Sequence, residues 1–397
     1  MYAPAASISE TSMSDRVHNI DIVRGLVMVL MVIDHTRVYL SSPLLDPTDI
    51  AETTIPLFLT RWITHFCAPV FVFLAGTSAF LQQKRRAWTT AATAKHLAVR
   101  GVWLIFVDIA IVRVLWWFNF DYGLTMGGVL FAIGGGMIAL AVCLRAGPYV
   151  LFAAGMSLVF GHNVVDGIAF AEGSPADFVW SILHVQTVLV LADNWYFVVG
   201  YPLIPWCGVV MLGYVAGHLT EMERSKRRRT YCKIGMECVF GFLLLRFLNF
   251  YGDPKPWSEF DAGWRTVLSF LNCAKYPPSL LYLLMTLGPM FLLLAATDSE
   301  TEPRWTAPLK TLGRVPMFFY LTHLPLAHLA GIGLSLFRYG NADWWYRNPD
   351  FGLPDDYGWG IPVWYAVSAS IVALLIPTCY WYSRLKRTSE NPILRWI

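Results

Sequence analysis

The sequence predicts an all-α integral membrane protein, a polytopic bundle of about ten transmembrane helices. Of the 397 residues, 56% are hydrophobic and 14% are charged, whereas soluble domains contain roughly 25% charged residues. Aromatic residues make up 15%, and a soluble fold lacks the polar surface to cover so many apolar side chains. The net charge of +3 is too small to indicate a nucleic-acid partner, and no nucleic-acid-binding motif is present.

Ten apolar segments reach about 18 residues, the length that a helix needs to cross a bilayer. They are predicted at 20–40, 57–81, 97–118, 123–143, 147–166, 198–219, 233–251, 278–297, 313–336 and 361–383. The apolar stretch 178–191 is too short to span, so we expect it to be interfacial or re-entrant. No cleavable signal peptide is expected, because the first apolar segment carries charges and no small-residue cleavage site follows it.

The distribution of basic residues predicts the orientation. With the N-terminus inside, the inner segments contain 18 Lys and Arg residues and the outer loops contain five. The two basic runs, 84–86 and 226–229, then face the same side. The positive-inside rule therefore predicts that both termini are cytoplasmic. A cytoplasmic tail (1–19) leads into one membrane domain (20–383), and a second cytoplasmic tail (384–397) follows it.

Charged side chains within the predicted spans mark a candidate site, because each costs at least ~2.5 kcal/mol at bilayer depth. The first helix contains Arg24 and, eleven residues later, His35. Eleven residues come within about 20° of a whole number of helical turns and span roughly 16 Å, so the two share one face. Such a stripe suits a long ligand that enters from the cytoplasm and presents its reactive end outward.

The candidate catalytic residues are His35, Asp34 and His65. His35 is the expected base, and Asp34 either polarises it or braces another helix. His65 reaches a similar depth from the second helix. A helix-packing hydrogen bond is the alternative for each lone histidine.

The cofactor candidates are Arg24, Arg100 and Arg314, which lie near inner helix ends and could bind phosphates. Their alternative role is snorkelling toward lipid headgroups. His323 and His328 are turned about 140° apart on one helix, so they are not expected to act together. No HxxxH, HExxH or CxxC motif is present, so no metal is expected.

Several blocks resemble the heparan-α-glucosaminide N-acetyltransferase-like family. The first is RVHNIDIVRGLVMVLMVIDHTR (16–37), and the second is RWITHFCAPVFVFLAGTSAFL (61–81). Segments 100–113, 201–214 and 312–323 are similar to later blocks of bacterial members. More widely, Arg-Gly followed by a histidine eleven positions after the arginine resembles the transmembrane acyltransferase superfamily, which includes bacterial O-acetyltransferases of surface polysaccharides.

The resemblance implies an enzyme of about ten helices that moves an acyl group from cytoplasmic acyl-CoA to an acceptor outside. His35 matches the first-helix catalytic histidine of the O-acetylating relatives, Arg24 matches their first-helix arginine, and Arg100 matches their third-helix basic motif loosely. The lysosomal member has its active histidine in the loop between helices 1 and 2. The corresponding loop here, 41–56, contains no histidine, so His35 or His65 is expected to do that work.

The sequence thus predicts an acyl-CoA-dependent acyltransferase with acetyl-CoA as donor and a sugar or glycan amine or hydroxyl as acceptor. We expect it in the bacterial inner membrane, among lipids, and the sequence leaves a homodimer open. Direct transfer and an acetyl-histidine intermediate are both open as routes. The alternatives are a proton-coupled transporter, or a glycan or lipid export protein without acyl transfer. No inverted repeat supports a transporter.

Overall fold

The computed structural model describes residues 18–42, 45–301, 303–347, 352–389, 391 and 394. Within these ranges the chain is mostly helical. The helices are α1 (His18–Leu40), α2 (Ile55–Thr64), α3 (Cys67–Arg86), α4 (Thr90–Phe106), α5 (Arg113–Trp117), α6 (Val129–Cys143), α7 (Pro148–Gly161), α8 (Pro175–His184), α9 (Leu203–Ala216), α10 (Arg224–Leu248), α11 (Gly263–Leu271), α12 (Leu280–Thr297), α13 (Thr306–Arg314), α14 (Pro316–Tyr339) and α15 (Ile361–Thr388).

Seven helical segments of the described chain are long and apolar enough to cross a membrane by length and composition. They are Ile55–Arg86, Val129–Ala146, Pro148–Val165, Leu203–Glu221, Leu280–Thr297, Pro316–Tyr339 and Ile361–Thr388. The predicted spans that begin at 20, 97 and 233 are also helical, as α1, α4 with α5, and α10. These three contain several charged residues within the helix, which lowers their mean hydropathy.

Helix α1 lies at the centre and contacts α2, α3, α12, α13, α14 and α15. Its closest neighbour is α13, because Gly25 lies against the backbone at Leu309 and Gly313 lies against the backbone at Asp21. A Cβ atom at either glycine would overlap the facing carbonyl group. The crossing therefore depends on both glycines, and it brings the N-terminal half of α1 next to Arg314.

The helical bundle has one end rich in basic residues. Lys84 and Arg85 of α3 line the same surface cavity as Arg224 and Arg227 of α10, and Lys84 Nζ is 2.5 Å from Glu221 Oε1. We call this the basic end. Helix α1 starts there, since His18 lines that cavity too. His35, in the last turns of α1, therefore lies toward the opposite end.

Three short strands modify the all-α prediction. Strand β1 (Leu124–Gly127) pairs in parallel with β3 (Trp195–Val199), and β3 pairs antiparallel with β2 (Val188–Ala192). The predicted span 123–143 therefore begins as a strand and becomes helical only after Gly128. The stretch 178–191 is divided between α8 and β2. Pairing satisfies backbone groups that these connecting segments would otherwise leave without partners.

Two further predicted spans are interrupted. The second is divided at residues 65–66 into α2 and α3, and the third contains a π-helical turn, Val107–Val112, between α4 and α5. Asp108 lies in that turn, and its Oδ2 accepts hydrogen bonds from the backbone N–H groups of Gly128 (2.7 Å) and Phe131 (2.8 Å). The carboxylate thereby satisfies orphan donors at the start of α6.

Candidate active site

Helix α1 presents a line of residues to the interior of the bundle. Met28 is fully buried, and Arg24 and Met31 line the same cavity. Their spacing of seven residues places them on one helix face. One turn beyond Met31, His35 meets helix α14. The first helix therefore joins the cavity to the candidate base.

His35 and His323 form a hydrogen-bonded pair. Nδ1 of His35 is 2.6 Å from Nε2 of His323, and Nδ1 of His323 is 3.0 Å from the carbonyl oxygen of Phe319. A carbonyl oxygen only accepts, so a neutral His323 carries its proton on Nδ1 and accepts at Nε2. His35 then donates its Nδ1–H to His323, and its own lone pair is on Nε2. This tautomer leaves His35 able to take up a proton.

Aromatic rings orient the pair. Trp116 meets the His35 ring edge-on, with centroids 5.0 Å apart, and the Tyr320 ring is 6.4 Å from His35 and 5.5 Å from His323. His323 is fully buried, whereas His35 is partly exposed. The pair thus has one fixed, enclosed member and one accessible member.

Asp34 points toward α2. Its two oxygens are each 2.6 Å from Nη1 of Arg61, and Oδ1 is 3.2 Å from Nη2 of Arg37. Successive residues on a helix are about 100° apart, so Asp34 and His35 face different neighbours. The geometry favours the interpretation that Asp34 braces another helix, with two arginines as its partners.

His65 lies at the break between α2 and α3. Its carbonyl oxygen accepts a hydrogen bond of 2.7 Å from the Tyr282 hydroxyl, and its ring meets the Tyr282 ring at 5.5 Å. The side chain is buried, and its Nδ1 has no hydrogen-bond partner in the described chain. Arg61, the partner of Asp34, lies one helical turn before His65 on α2. His65 therefore borders the same charged cluster as Asp34.

A narrow cavity of about 460 Å³ lies between α1, α3, α4, α6 and α14. Its charged lining residues are all basic, namely Arg24, Arg86 and Arg100, with His96 and Trp88 beside them. Its far wall includes Met31 and Tyr320. Ligand pockets typically measure about 300–1,000 Å³, so this volume is within that range. The narrow cavity is polar at the basic end and apolar toward Tyr320.

A wide cavity of about 890 Å³ opens at the basic end. It shares Arg24 and Ser78 with the narrow cavity. Its charged lining is mixed, with the acids Asp21, Glu221, Asp298 and Glu300 beside the basic residues Arg24, Lys84, Arg85, Arg224 and Arg227. Phosphate groups would meet repulsion from the acids here, whereas none of the described residues that line the narrow cavity is acidic.

Arg24 lies between the two cavities. Its Nη1 is 3.3 Å from Asp21 Oδ1 and 3.0 Å from the Gly313 carbonyl oxygen, and its Nη2 is 2.8 Å from Ser78 Oγ. Arg314 shares the same acid, with Nε 3.9 Å from Asp21 Oδ2. Arg314 is not among the described residues that line either cavity. Of the three predicted phosphate ligands, the structure brings Arg24 and Arg100 to one cavity.

The structure adds His323, which the sequence analysis did not assign to the site. The sequence shows only how His323 is placed relative to His328 on the same helix. Its pairing with His35 depends on a different helix, α1. His328 instead packs against Tyr39 and Phe118, with ring centroids 4.8 Å and 4.0 Å away. His35, His65 and His328 accordingly form no metal-ligand group among the described residues.

Comparison with known proteins supports the family that the motifs indicate. No curated protein matches the chain. Residues 16–248 match the family described as heparan-alpha-glucosaminide N-acetyltransferase, catalytic. The matched stretch is more than half of the 397 residues; it includes Arg24, His35 and Arg100 and ends before Arg314 and His323. The protein therefore belongs to the heparan-alpha-glucosaminide N-acetyltransferase family, as a multi-pass membrane acetyltransferase.

Proposed function

We propose that the protein transfers an acetyl group from cytoplasmic acetyl-CoA to an amine or hydroxyl of a sugar or glycan on the outer side of the membrane. The observation that best supports this proposal is the direction in which the narrow cavity runs. The cavity extends from Arg86 and Arg100 to Tyr320, whose ring is 6.4 Å from that of His35. A thioester held at the far wall would lie close to the imidazole of His35.

The donor's phosphates are assigned to the basic mouth of the narrow cavity. Arg24 and Arg100 line it together with Arg86, and an arginine can bind a phosphate through two parallel hydrogen bonds. The pantetheine arm would then extend past Met31 along α1. Arg314 shares Asp21 with Arg24, so we assign it an indirect role in holding Arg24.

The proposal requires ten membrane crossings with both termini in the cytoplasm. Seven apolar segments and the three charge-bearing helical segments, α1, α4 with α5, and α10, supply the ten. Lys84 and Arg85 of the run 84–86 and Arg227 of the run 226–229 line one cavity, which supports an even number of crossings between the two runs. The positive-inside rule then makes the basic end cytoplasmic, as expected in a bacterial inner membrane.

His35 would act as the general base. Its Nε2 takes the proton from the acceptor as the acceptor nitrogen or oxygen attacks the thioester carbonyl. The new C–N or C–O bond forms, the C–S bond breaks, and the coenzyme A thiolate receives the proton from His35. His323 accepts the Nδ1–H of His35 and stabilises the imidazolium through that bond. An acetyl-histidine intermediate on the same nitrogen is the second route.

Asp34 and His65 would support the acceptor side. Asp34, which precedes His35 on α1, holds Arg61 and Arg37 close to this end of the helix. This polar cluster provides hydrogen-bond donors that a sugar can use. His65 borders it and is the second candidate base.

The decisive experiment counts labelled acetyl transfer by purified protein in sealed proteoliposomes. Acetyl-CoA labelled on the acetyl group is the donor, and glucosamine and a neutral sugar are the trial acceptors. We expect acetylated product with wild type and about 10²–10⁴-fold slower formation with His35→Ala, while His218→Ala, at an exposed histidine, retains activity. Uptake of unmodified sugar without acetylation would favour the transporter instead.

Sidedness is tested with inside-out and right-side-out membrane vesicles. Inside-out vesicles should use added acetyl-CoA without permeabilisation, because the basic end would face the medium. Right-side-out vesicles should need permeabilisation. Consumption of external acetyl-CoA by right-side-out vesicles alone would contradict the proposed path.

A further inference from the structure

A second group of histidines lies at the end of the bundle away from the basic end. Helix α7 ends at Gly161, a short turn (His162–Val165) follows, and Asp166 comes next. His184, the last residue of α8, returns to this point. Asn163, within the turn, accepts a hydrogen bond of 2.9 Å from the backbone N–H of Leu280. Helix α12 begins at Leu280 and ends at Thr297, which lines the wide cavity, so the group is one helix length from the basic end.

The three side chains converge on one point. Nε2 of His184 is 2.9 Å from Oδ1 of Asp166, and one atom from each of His162, Asp166 and His184 lies within 4.8 Å of the others. His162 and His184 are 3% and 2% exposed. Neither ring nitrogen of His162 has a hydrogen-bond partner in the described chain. A buried imidazole without partners loses its hydration and gains nothing in return.

We propose that His162, Asp166 and His184 bind a divalent transition metal, with Zn²⁺ as the preferred ion. Imidazole nitrogen and carboxylate oxygen are zinc ligands at about 2.0–2.2 Å, which places ligand atoms around a tetrahedral zinc about 3.3–3.5 Å apart. The 2.9 Å contact lies just below this spacing, and the 4.8 Å limit lies above it. Small side-chain rotations therefore complete the geometry. The side chain of Asp166, 27% exposed, gives the ion a path from solvent, and water supplies the fourth ligand.

The carboxylate of Asp166 is already oriented by a neighbour. Nδ2 of Asn163 donates a hydrogen bond of 2.9 Å to Oδ2 of Asp166, which leaves Oδ1 directed at His184. Partners of this kind commonly fix the ligands of metal sites. Since Asn163 also binds the backbone of Leu280, the site connects α7, α8 and the start of α12. A bound ion would hold α8, and with it the segment leading to β2 and β3, against the bundle.

The proposed metal runs against the sequence expectation that the protein needs none. His162 and Asp166 are about one helical turn apart, which is a local signal for two ligands. His184 is too distant in the sequence to be linked to them. The three residues are absent from the linings of both cavities, and none contacts His35 or His323 in the described structure. The inference therefore stands independently of acetyl transfer.

The test measures metal content and affinity in the full-length protein, purified without a polyhistidine tag and equilibrated with Zn²⁺. We expect about one zinc per chain by mass spectrometry, and a cobalt-substituted protein with the intense visible bands of tetrahedral Co²⁺. His162→Ala and His184→Ala should weaken zinc binding by at least about 100-fold. Asn163→Ala should weaken it by about 10–100-fold, as the loss of an orienting partner does.

Two comparisons make the result decisive. Asp166→Asn keeps the shape of a partly exposed side chain and removes the anionic ligand, so it answers the question even if the buried histidine variants do not fold. Zinc should raise the melting temperature of the wild type and leave that of Asp166→Asn unchanged. His218→Ala, with an exposed histidine at the basic end, should retain the zinc. The proposal is overturned if the wild type takes up no zinc. It is also overturned if His218→Ala loses as much zinc as the variants of His162, Asp166 and His184.

Discussion

Two arginines in helices of this protein have opposite surroundings. Arg246 of α10, 1% exposed, donates hydrogen bonds of 2.8–3.0 Å to the carbonyl oxygens of Lys255, Ser269, Phe270 and Asn272. Its Nη1 is also 3.9 Å from Asp253. Arg24 of α1 has a side chain that is 12% exposed, and it borders two cavities. One guanidinium is enclosed by loop carbonyls, and the other faces space that a ligand can fill.

The difference teaches that burial of a charge does not by itself locate a functional site. A guanidinium has five N–H donors in a fixed fork. Four contacts of Arg246 end on backbone groups, which ties the loop 252–277 to α10. Arg113 resembles Arg246, because it donates to the carbonyl oxygens of Leu124 and Asn119. What sets Arg24 apart is the adjoining cavity.

The largest expected effect is on the reaction, at His35. His35→Ala should lower the acetylation rate by about 10²–10⁴-fold, as loss of a general base typically does. The variant should still insert and fold, since His35 is only partly buried. Initial rates of labelled acetyl transfer in proteoliposomes measure this. Near-wild-type rates would move the assignment to His65, and His65→Ala is the variant to compare.

The next largest effect tests the structural arginine. Arg246→Ala should destabilise the protein by about 3–5 kcal/mol, because four carbonyl groups, one of them buried and three partly buried, lose their donor and Asp253 loses its nearby cation. The melting temperature in detergent should fall steeply. The matched control on the same helix is Lys233→Ala, an exposed residue 3.8 Å from Glu237, where the cost should be about 0–1 kcal/mol. Equal melting temperatures for Arg246→Ala and Lys233→Ala would show that the contacts of Arg246 do not stabilise the fold.

The sequence predicts the helical membrane class because hydropathy and the length of each apolar stretch are local properties of the chain. It also predicts that Arg24 and His35 share a face of α1, because helix periodicity is local. The pairing of β1 with β3 could not be predicted, since the two strands are about 70 residues apart and meet only in the folded chain. The break in the second span has a local cause, because Pro69 has no backbone N–H to donate to the carbonyl group of His65, four residues earlier.

The sequence predicts those residues of the candidate site that lie on α1. For Asp34 the sequence leaves two roles open, polarising His35 or bracing another helix, and in the structure its carboxylate contacts Arg61. His323 is 288 residues from His35, and only the crossing of α1 and α14 brings the two rings together. Arg100 enters the narrow cavity and Arg314 does not, a distinction that helix-end position alone cannot make.

A smaller effect is expected at His323, which acts as a positioning residue. A hydrogen bond to a charged group is worth about 1.5–3 kcal/mol, so losing the partner of the His35 imidazolium should lower kcat by about 10–150-fold. KM for acetyl-CoA should change little, because His323 is fully buried and does not line the narrow cavity. His323→Ala tests the loss. His323→Gln, whose side-chain oxygen can accept the Nδ1–H of His35, should restore part of kcat. Equal losses in both variants would argue for a packing role.

The smallest effect concerns which cavity holds the phosphates. Arg24→Lys keeps the charge and loses the planar fork, so acetyl-CoA affinity should fall by about tenfold, equivalent to ~1.4 kcal/mol. Arg100 lines the narrow cavity and is not among the described residues that line the wide one. Arg100→Lys should lower the acetyl-CoA affinity by a similar factor. Arg227 lines only the wide cavity, where its Nε is 2.7 Å from Asp298 Oδ2, so Arg227→Lys should leave the affinity unchanged. Calorimetric titration of each purified variant with acetyl-CoA, with melting temperatures measured alongside, compares them directly.

If Arg227→Lys weakens acetyl-CoA binding while Arg100→Lys does not, the phosphates bind in the wide cavity, and Arg24 contacts them from that cavity. If Arg24→Lys and Asp21→Asn both lower the melting temperature without changing the affinity, Arg24 braces α1 and joins Arg246 as a structural arginine.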